Sequence, residues 1–187
     1  MKRLLIATAL FAIAVPAALA APPTGSGNET GNSSSTNGPS PSALCQQQLK
    51  TMGTINFKST YSPTGNGKNA FGKCVSRMAQ FQSTNESNAA KLCKAERGTT
   101  TDSIAAFNDK YGTNANKKNA FGMCVSMKAK AQTEEQQQAT LNAAKACKAE
   151  RGTTANSIAA FNTKYGTNAN KRNAFGKCVS MKAKASS

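Results

Sequence analysis

The sequence predicts an all-α protein made of three tandem small helical repeats that follow a disordered spacer. Each repeat is expected to be a disulfide-stapled helical hairpin or three-helix unit. Three observations lead to this prediction: an N-terminus typical of export, six cysteines in a chain without histidine, and one sequence pattern that occurs three times.

Residues 1–20 have the features of a signal peptide. Met1, Lys2 and Arg3 form a short basic start, an apolar run follows, and Ala18 and Ala20 suit a signal peptidase. The alternative, an uncleaved membrane anchor, needs roughly 18 to 25 apolar residues, and this run is shorter and contains a proline. We expect cleavage after Ala20 and a secreted, extracellular product.

Residues 21–42 are dominated by Gly, Ser, Asn, Thr and Pro and contain no large apolar side chain. Such a segment cannot bury enough apolar surface to offset the entropy cost of ordering it. We therefore predict a disordered linker between the cleavage site and the folded region.

The charge is strongly positive. The whole chain carries a formal net charge of +16, and removal of Lys2 and Arg3 with the leader lowers it to +14. The last acidic residue is Glu150, so the C-terminal third is the most basic part. This charge favours polyanions as partners, such as an acidic wall polymer, a nucleic acid or an anionic lipid surface, without selecting among them.

Self-comparison defines the repeats. Residues 89–131 and 143–185 align without a gap and differ at six of 43 positions. A more diverged copy in residues 43–79 keeps the two cysteines, a Phe and a Tyr at matching positions, and the run Asn-Ala-Phe-Gly. We place repeat 1 at 43–82, repeat 2 at 83–132 and repeat 3 at 133–187.

Helix signals divide each repeat into three helical segments. In repeat 3, the first is expected at about 135–151 and ends at Gly152. The second follows Thr154, which can cap it, and ends at Gly166. Asn173 is the expected N-cap of the third, whose apolar residues recur at helical spacing.

The connection between repeats 2 and 3 contains no Gly or Pro from Met123 to Arg151. The last helix of one repeat could therefore continue into the first helix of the next. Alternatively, Thr133 and Gln136 form a capping-box pattern that could start a new helix. We favour continuous helices, and hence a semi-rigid rod rather than flexible beads.

Six cysteines allow 15 pairings in principle. A unit that was duplicated must have been closed within itself, which favours bridges inside each repeat. A bridge over so small a core contributes roughly 3 to 4 kcal/mol on the chain-entropy model. The expected pairs are Cys45 with Cys74, Cys93 with Cys124, and Cys147 with Cys178.

Catalysis and metal binding have few candidate residues. The chain has no histidine and no CxxC pair, and its cysteines are assigned to bridges, which argues against an enzyme, a metal site or a cofactor. Glu96 and Glu150 are the only carboxylates repeated in place, and we interpret them as surface ion pairs beside Arg97 and Arg151. The asparagine-rich loops lack the carboxylates that calcium prefers.

One cation in each repeat lies directly before the predicted N-cap of the third helix, where the helix dipole makes a positive charge unfavourable. An anion bound at that helix N-terminus would offset the cost, although a solvated loop cation is the simpler alternative. The candidate anion-binding residues are Lys68, Lys118 and Arg172 with the neighbouring Asn69, Asn119 and Asn173.

The run Asn173 to Ser180, NAFGKCVS, resembles repeats of small exported bacterial proteins with no assigned activity. The likeness covers about 43–187. It implies an extracellular setting and supplies no catalytic or binding residues.

The favoured function is a secreted, non-enzymatic, cationic repeat protein that binds anionic polymers at or outside the cell surface. The alternative is a membrane-active cationic effector. The alternative has less support because the apolar residues are needed inside each repeat, and no predicted helix has the exposed apolar face of an interfacial helix.

Overall fold

The computed structural model describes residues 38–64 and 66–186. These residues form seven helices and no strand, so the predicted all-α class is confirmed. The signal peptide and most of the predicted linker lie outside the described residues. The helices are α1 (Pro41–Met52), α2 (Thr54–Tyr61), α3 (Ala70–Arg97), α4 (Thr101–Tyr111), α5 (Ala120–Arg151), α6 (Ala155–Tyr165) and α7 (Ala174–Lys184).

The three predicted disulfides are present. Cys45–Cys74, Cys93–Cys124 and Cys147–Cys178 join Cα atoms 5.9, 6.1 and 6.0 Å apart, and all six cysteines are fully buried. Each bridge connects the first and third helical segments of one repeat. The second segment, which is α2, α4 or α6, packs beside that pair and contributes a buried Phe and Tyr.

Local signals place most helix ends correctly. Thr154 caps α6 by accepting a hydrogen bond from the backbone N–H of Ser157 at 3.2 Å. Gly152 ends α5 with a φ of 62°, in the left-handed region that glycine adopts without steric cost. α1 begins at Pro41, within the last two residues of the predicted linker 21–42, and Ser40 caps it.

Two long helices connect the repeats. α3 has 28 residues and α5 has 32, and each contains the end of one repeat and the start of the next. The predicted continuity is confirmed, and the alternative of a new helix at Thr133 is wrong. Thr133 lies within α5 and donates its hydroxyl to the carbonyl of Ala129 at 2.8 Å. The repeat boundaries at 82/83 and 132/133 fall inside these two helices.

The predicted semi-rigid rod is not observed, because the described part of the chain folds back on itself. α3 and α5 lie antiparallel, as shown by Asn85 beside Thr133 and Cys93 bonded to Cys124. This brings repeat 1 against repeat 3, and their apolar residues form one shared core. Repeat 2 keeps a separate small core around Phe107 and Tyr111.

Buried polar side chains link α5 to α3 and to α1. The Asn85 amide donates to the hydroxyl of Thr133 at 3.1 Å. The Gln48 amide donates to the side-chain oxygen of Gln137 at 2.8 Å, and the Gln137 amide donates to the Leu44 carbonyl at 3.1 Å. These buried groups are paired, which avoids the cost of desolvating them without partners.

Candidate anion-binding site

The contact between repeats 1 and 3 creates a feature that neither repeat has alone. α2 packs across the start of α7, where the Ser59 hydroxyl donates to the backbone carbonyl of Arg172. Beside this contact is a cavity of about 350 Å³ lined by α2, the following loop, and the loop that precedes α7.

Four cations line this cavity. They are Lys58, Arg151, Lys171 and Arg172. Four asparagine amides lie among them, at positions 56, 66, 162 and 170. No Asp or Glu is among the described residues that line the cavity. None of the four cations makes an ion pair within the described part of the chain. The cavity is therefore a concentrated positive site with neutral hydrogen-bonding groups.

The backbone at Lys171 is unusual. Its φ is 56°, in the left-handed region that is costly for residues with a Cβ, and its ammonium donates to the Gly166 carbonyl at 3.0 Å. Lys117 of repeat 2 has the same conformation, whereas repeat 1 has Gly67 at this position. The strained turn thus presents Lys171 beside Arg172 at the cavity.

The structure separates the three predicted loop cations. Arg172 lines the cavity between repeats 1 and 3. Lys68 lies on a shallow surface of repeat 1 with Lys73 and Arg77. Lys118 is exposed on repeat 2, beside the separate core. The three loop cations therefore have three different surroundings, whereas the sequence predicted one equivalent site in each repeat.

The asparagines after these cations occupy the predicted N-cap positions of α3, α5 and α7, but they do not cap those helices with their side chains. Asn69, Asn119 and Asn173 make no side-chain capping hydrogen bond. The Asn173 side chain instead accepts from the backbone N–H of Thr167 at 3.1 Å and donates to its hydroxyl at 2.7 Å. Asn119 binds Thr113 in the same way. In repeats 2 and 3, these side chains close the loop.

The repeated carboxylates form ion pairs, as predicted, but with different partners. Glu96 accepts hydrogen bonds from Lys110 at 2.6 Å and from Tyr111 at 2.9 Å, and it pairs with Lys128 at 3.0 Å. The hydrogen bond from Lys110, followed by those from Lys128 and Tyr111, lowers the pKa of Glu96 to about 2. Arg97 takes no part in this cluster.

Glu150 has the equivalent surroundings in repeat 3. Lys164 donates to its carboxylate at 2.6 Å, Tyr165 donates at 2.8 Å, and Lys182 lies 3.1 Å away. These contacts, that of Lys164 first, lower the pKa of Glu150 to about 2. A carboxylate with so low a pKa is a poor general base near neutral pH.

Sequence reasoning missed that repeat 1 replaces this whole cluster with neutral residues. Gln48 takes the carboxylate position and accepts a hydrogen bond from Tyr61. Met78 and Thr60 take the positions of the two lysines. Burial raises the pKa of Tyr61 to about 12. Neutral residues thus replace all three charged residues in repeat 1. This joint replacement is the feature of the sequence that could have indicated that another part of the chain covers repeat 1.

No group of His, Cys, Asp or Glu within the described residues could hold a metal ion. None of the described helices has a stretch long and apolar enough to cross a bilayer. The fold and the cavity define an all-α, disulfide-bridged, cationic protein. Comparisons with protein-family models, curated proteins and solved structures find no match for this chain.

Proposed function

We propose that this protein binds anionic polymers outside the cell, without enzymatic activity, through the cationic cavity between repeats 1 and 3. The observation that carries the proposal is the set of four cations around one cavity, none of which makes an ion pair within the described residues, with asparagine amides between them. A phosphate or carboxylate group can receive charge-assisted hydrogen bonds from the guanidinium groups of Arg151 and Arg172.

The rest of the molecule supports a polymer rather than a small anion. Lys68, Lys73 and Arg77 form a second cationic surface on repeat 1, so a long ligand can contact several sites at once. The excess of Lys and Arg over the whole chain adds long-range attraction. Disulfides are compatible with an extracellular protein, and the leader-like residues 1–20 add support for export.

The direct test measures the affinity for polyphosphate over a range of salt concentrations. The triple variant Lys58→Gln, Lys171→Gln, Arg172→Gln is compared with Lys91→Gln, Lys145→Gln, Lys148→Gln, which removes the same charge from exposed helix surfaces. The cavity variant is expected to bind at least about tenfold more weakly. The negative slope of log K against log salt should become shallower by about 2 to 3.

Equal losses in the two triple variants would show that only net charge matters and would refute the cavity site. Single variants give a further test. Arg172→Gln should weaken binding more than Lys118→Gln does, because Arg172 lines the cavity and Lys118 does not. Leakage of anionic vesicles caused by the intact, oxidised protein would favour the membrane-active alternative. Polymer binding predicts association with such vesicles without leakage.

A further inference from the structure

A second cavity lies where repeat 1 meets repeat 3, and we call it the apolar cavity. It has a volume of about 250 Å³ and is lined by residues of α1, α2, α3, α5 and α7. Its apolar lining includes Leu44, Met52 and Val179, all of them buried. It shares no lining residue with the cationic cavity, so the two cavities can bind different ligands.

The α3 residues that line the apolar cavity differ from their counterparts in the other two repeats. Met78 is 8% exposed in the cavity wall, and the preceding Arg77 is exposed to solvent. The other repeats have these two residue types in the reverse order, with an exposed methionine before a lysine that pairs with a glutamate. Repeat 1 has Arg77, Met78 and Phe81, repeat 2 has Met127, Lys128 and Ala131, and repeat 3 has Met181, Lys182 and Ala185. Repeat 1 thus has apolar side chains in the cavity wall and a cation at its edge.

Two cations mark the open edge of the apolar cavity. Arg77 and Lys184 are exposed lining residues, and neither makes an ion pair within the described part of the chain. No Asp or Glu is among the described residues that line the cavity. The Arg77 guanidinium lies 5.7 Å from the centroid of the Phe81 ring, which is itself 39% exposed. The edge therefore combines positive charge with exposed apolar surface.

The polar side chains that α5 contributes to the cavity wall already have partners. The Thr140 hydroxyl donates to the Gln136 carbonyl at 2.9 Å, and the Gln136 side chain bonds to Asn85. Thr133 and Gln137 are held by the hydrogen bonds that link α5 to α3 and α1. This part of the wall therefore does not require polar groups from a ligand, and the two cations at the edge are the groups left to bind a charge.

We propose that the apolar cavity binds a fatty acid anion, with the acyl chain inside and the carboxylate at Arg77 and Lys184. The wall excludes water from the chain, and both cations can donate charge-assisted hydrogen bonds to the carboxylate. Met52 and Met78 suit a flexible chain because methionine adapts its shape. The linker that precedes α1 is no rival occupant, since residues 21–42 contain no large apolar side chain.

The volume of the cavity limits the length of the chain. An apolar cavity of about 150 Å³ holds one benzene molecule, so at the same density 250 Å³ holds roughly ten non-hydrogen atoms. Octanoate has this size, and its head group can extend past the edge. A medium-chain fatty acid is therefore the expected class of ligand, and a phospholipid with two acyl chains is too large.

Titration of the oxidised chain from Ala21 onward with octanoate, followed by NMR of the backbone amides, tests the proposal. Saturable shifts should occur in α3, α5 and α7 around the cavity, with little change in α4, which does not line it. Acetate lacks the chain and should cause no such shifts. 1-Octanol lacks the charge and should bind roughly three- to tenfold more weakly than octanoate, because exposed ion pairs contribute modestly.

Two variants separate the chain from the head group. Thr140→Phe fills the cavity from a half-buried position of α5 and should abolish the saturable shifts. Arg77→Gln with Lys184→Gln should lower the affinity for octanoate to that for 1-octanol. Circular dichroism with thermal unfolding verifies that each variant is folded. The control Lys91→Gln, Lys145→Gln removes the same charge from exposed positions of α3 and α5 and should bind octanoate like the wild type.

The two proposed sites can fail independently. Thr140→Phe should still bind polyphosphate, because Thr140 does not line the cationic cavity. Octanoate shifts that do not saturate would overturn the fatty acid site. So would a folded Thr140→Phe variant that binds octanoate like the wild type, or equal affinities of the wild type for octanoate and 1-octanol.

Discussion

Glu96 and Glu150 show how single residues hold one helical segment to the next. Each carboxylate accepts hydrogen bonds from a Lys and a Tyr of the second segment and pairs with a Lys of the third. Because these contacts favour the charged form, the pKa of each group falls from 4.5 to about 2. Protonation of Glu96 or Glu150 should therefore lower the stability of the fold.

The pH dependence follows from the sign of that shift. A group with a lowered pKa in the folded state stabilises the fold above its unfolded pKa, and this stabilisation is lost as pH falls through the folded value. We expect the urea midpoint of the wild type to decrease between about pH 4.5 and about pH 2. The double variant Glu96→Gln, Glu150→Gln should begin with a lower midpoint and depend less on pH over this range.

Glu134→Gln with Glu135→Gln is the matched control. Both residues are exposed on α5, and Glu134 has only a 3.9 Å contact with Lys130. This control should keep the acid dependence of the wild type. Parallel pH curves for the wild type and the Glu96, Glu150 variant would contradict the role assigned to the clusters.

At the scale of helices, three glycines at equivalent positions have different surroundings. Gly72, Gly122 and Gly176 each lie in the first turn of a helix, but only Gly176 is in close contact with another helix. Replacement by alanine at the two open positions should raise the free energy of unfolding by a few tenths to about 1 kcal/mol. Gly176→Ala should lose that gain because its Cβ must displace Thr60.

Urea denaturation of the three alanine variants at low protein concentration measures these changes in the free energy of unfolding. The informative quantity is the difference between Gly122→Ala and Gly176→Ala, since repeats 2 and 3 are nearly identical in sequence. Equal free-energy changes at these two positions would indicate that α2 does not pack on α7 in solution.

At the scale of the whole molecule, the two cores differ in size. Repeats 1 and 3 share a large core, and repeat 2 has a separate core of Cys93, Phe107, Tyr111, Ala120 and Cys124. So few apolar residues supply little hydrophobic stabilisation. Repeat 2 should therefore depend on its disulfide more than the other repeats do.

Separate removal of the bridges of repeats 2 and 1 tests that dependence. A disulfide that closes a loop of about 30 residues contributes roughly 3 to 4 kcal/mol on the chain-entropy model. With Cys93 and Cys124 both changed to Ala, amide hydrogens of α4 should exchange rapidly while those of α1 and α7 stay protected. With Cys45 and Cys74 changed to Ala, protection should fall more evenly across α1, α2 and α7. A uniform loss in both variants would show that the two cores unfold as one unit.

The sequence by itself determined the features that depend on neighbouring residues. Helical periodicity, Gly152 and Thr154 predicted helix ends, and tandem duplication predicted all three disulfides. These features are local because a cap or a bridge within a repeat involves residues near one another in the chain. Of the three predicted loop cations, Arg172 lines the candidate cavity, whereas Lys68 and Lys118 lie elsewhere.

Only the tertiary structure decided how the repeats meet. The antiparallel packing of α3 and α5 brings Lys58 of repeat 1 to Arg172 of repeat 3, more than 100 positions away in the sequence. Periodicity shows that a helix has an apolar side but does not show which distant surface will cover it. The neutral residues Gln48, Thr60 and Met78 fit a surface buried by another repeat, because unpaired charges are costly to bury there. The cavity exists because that burial places Lys58 of α2 beside the cationic loop that precedes α7.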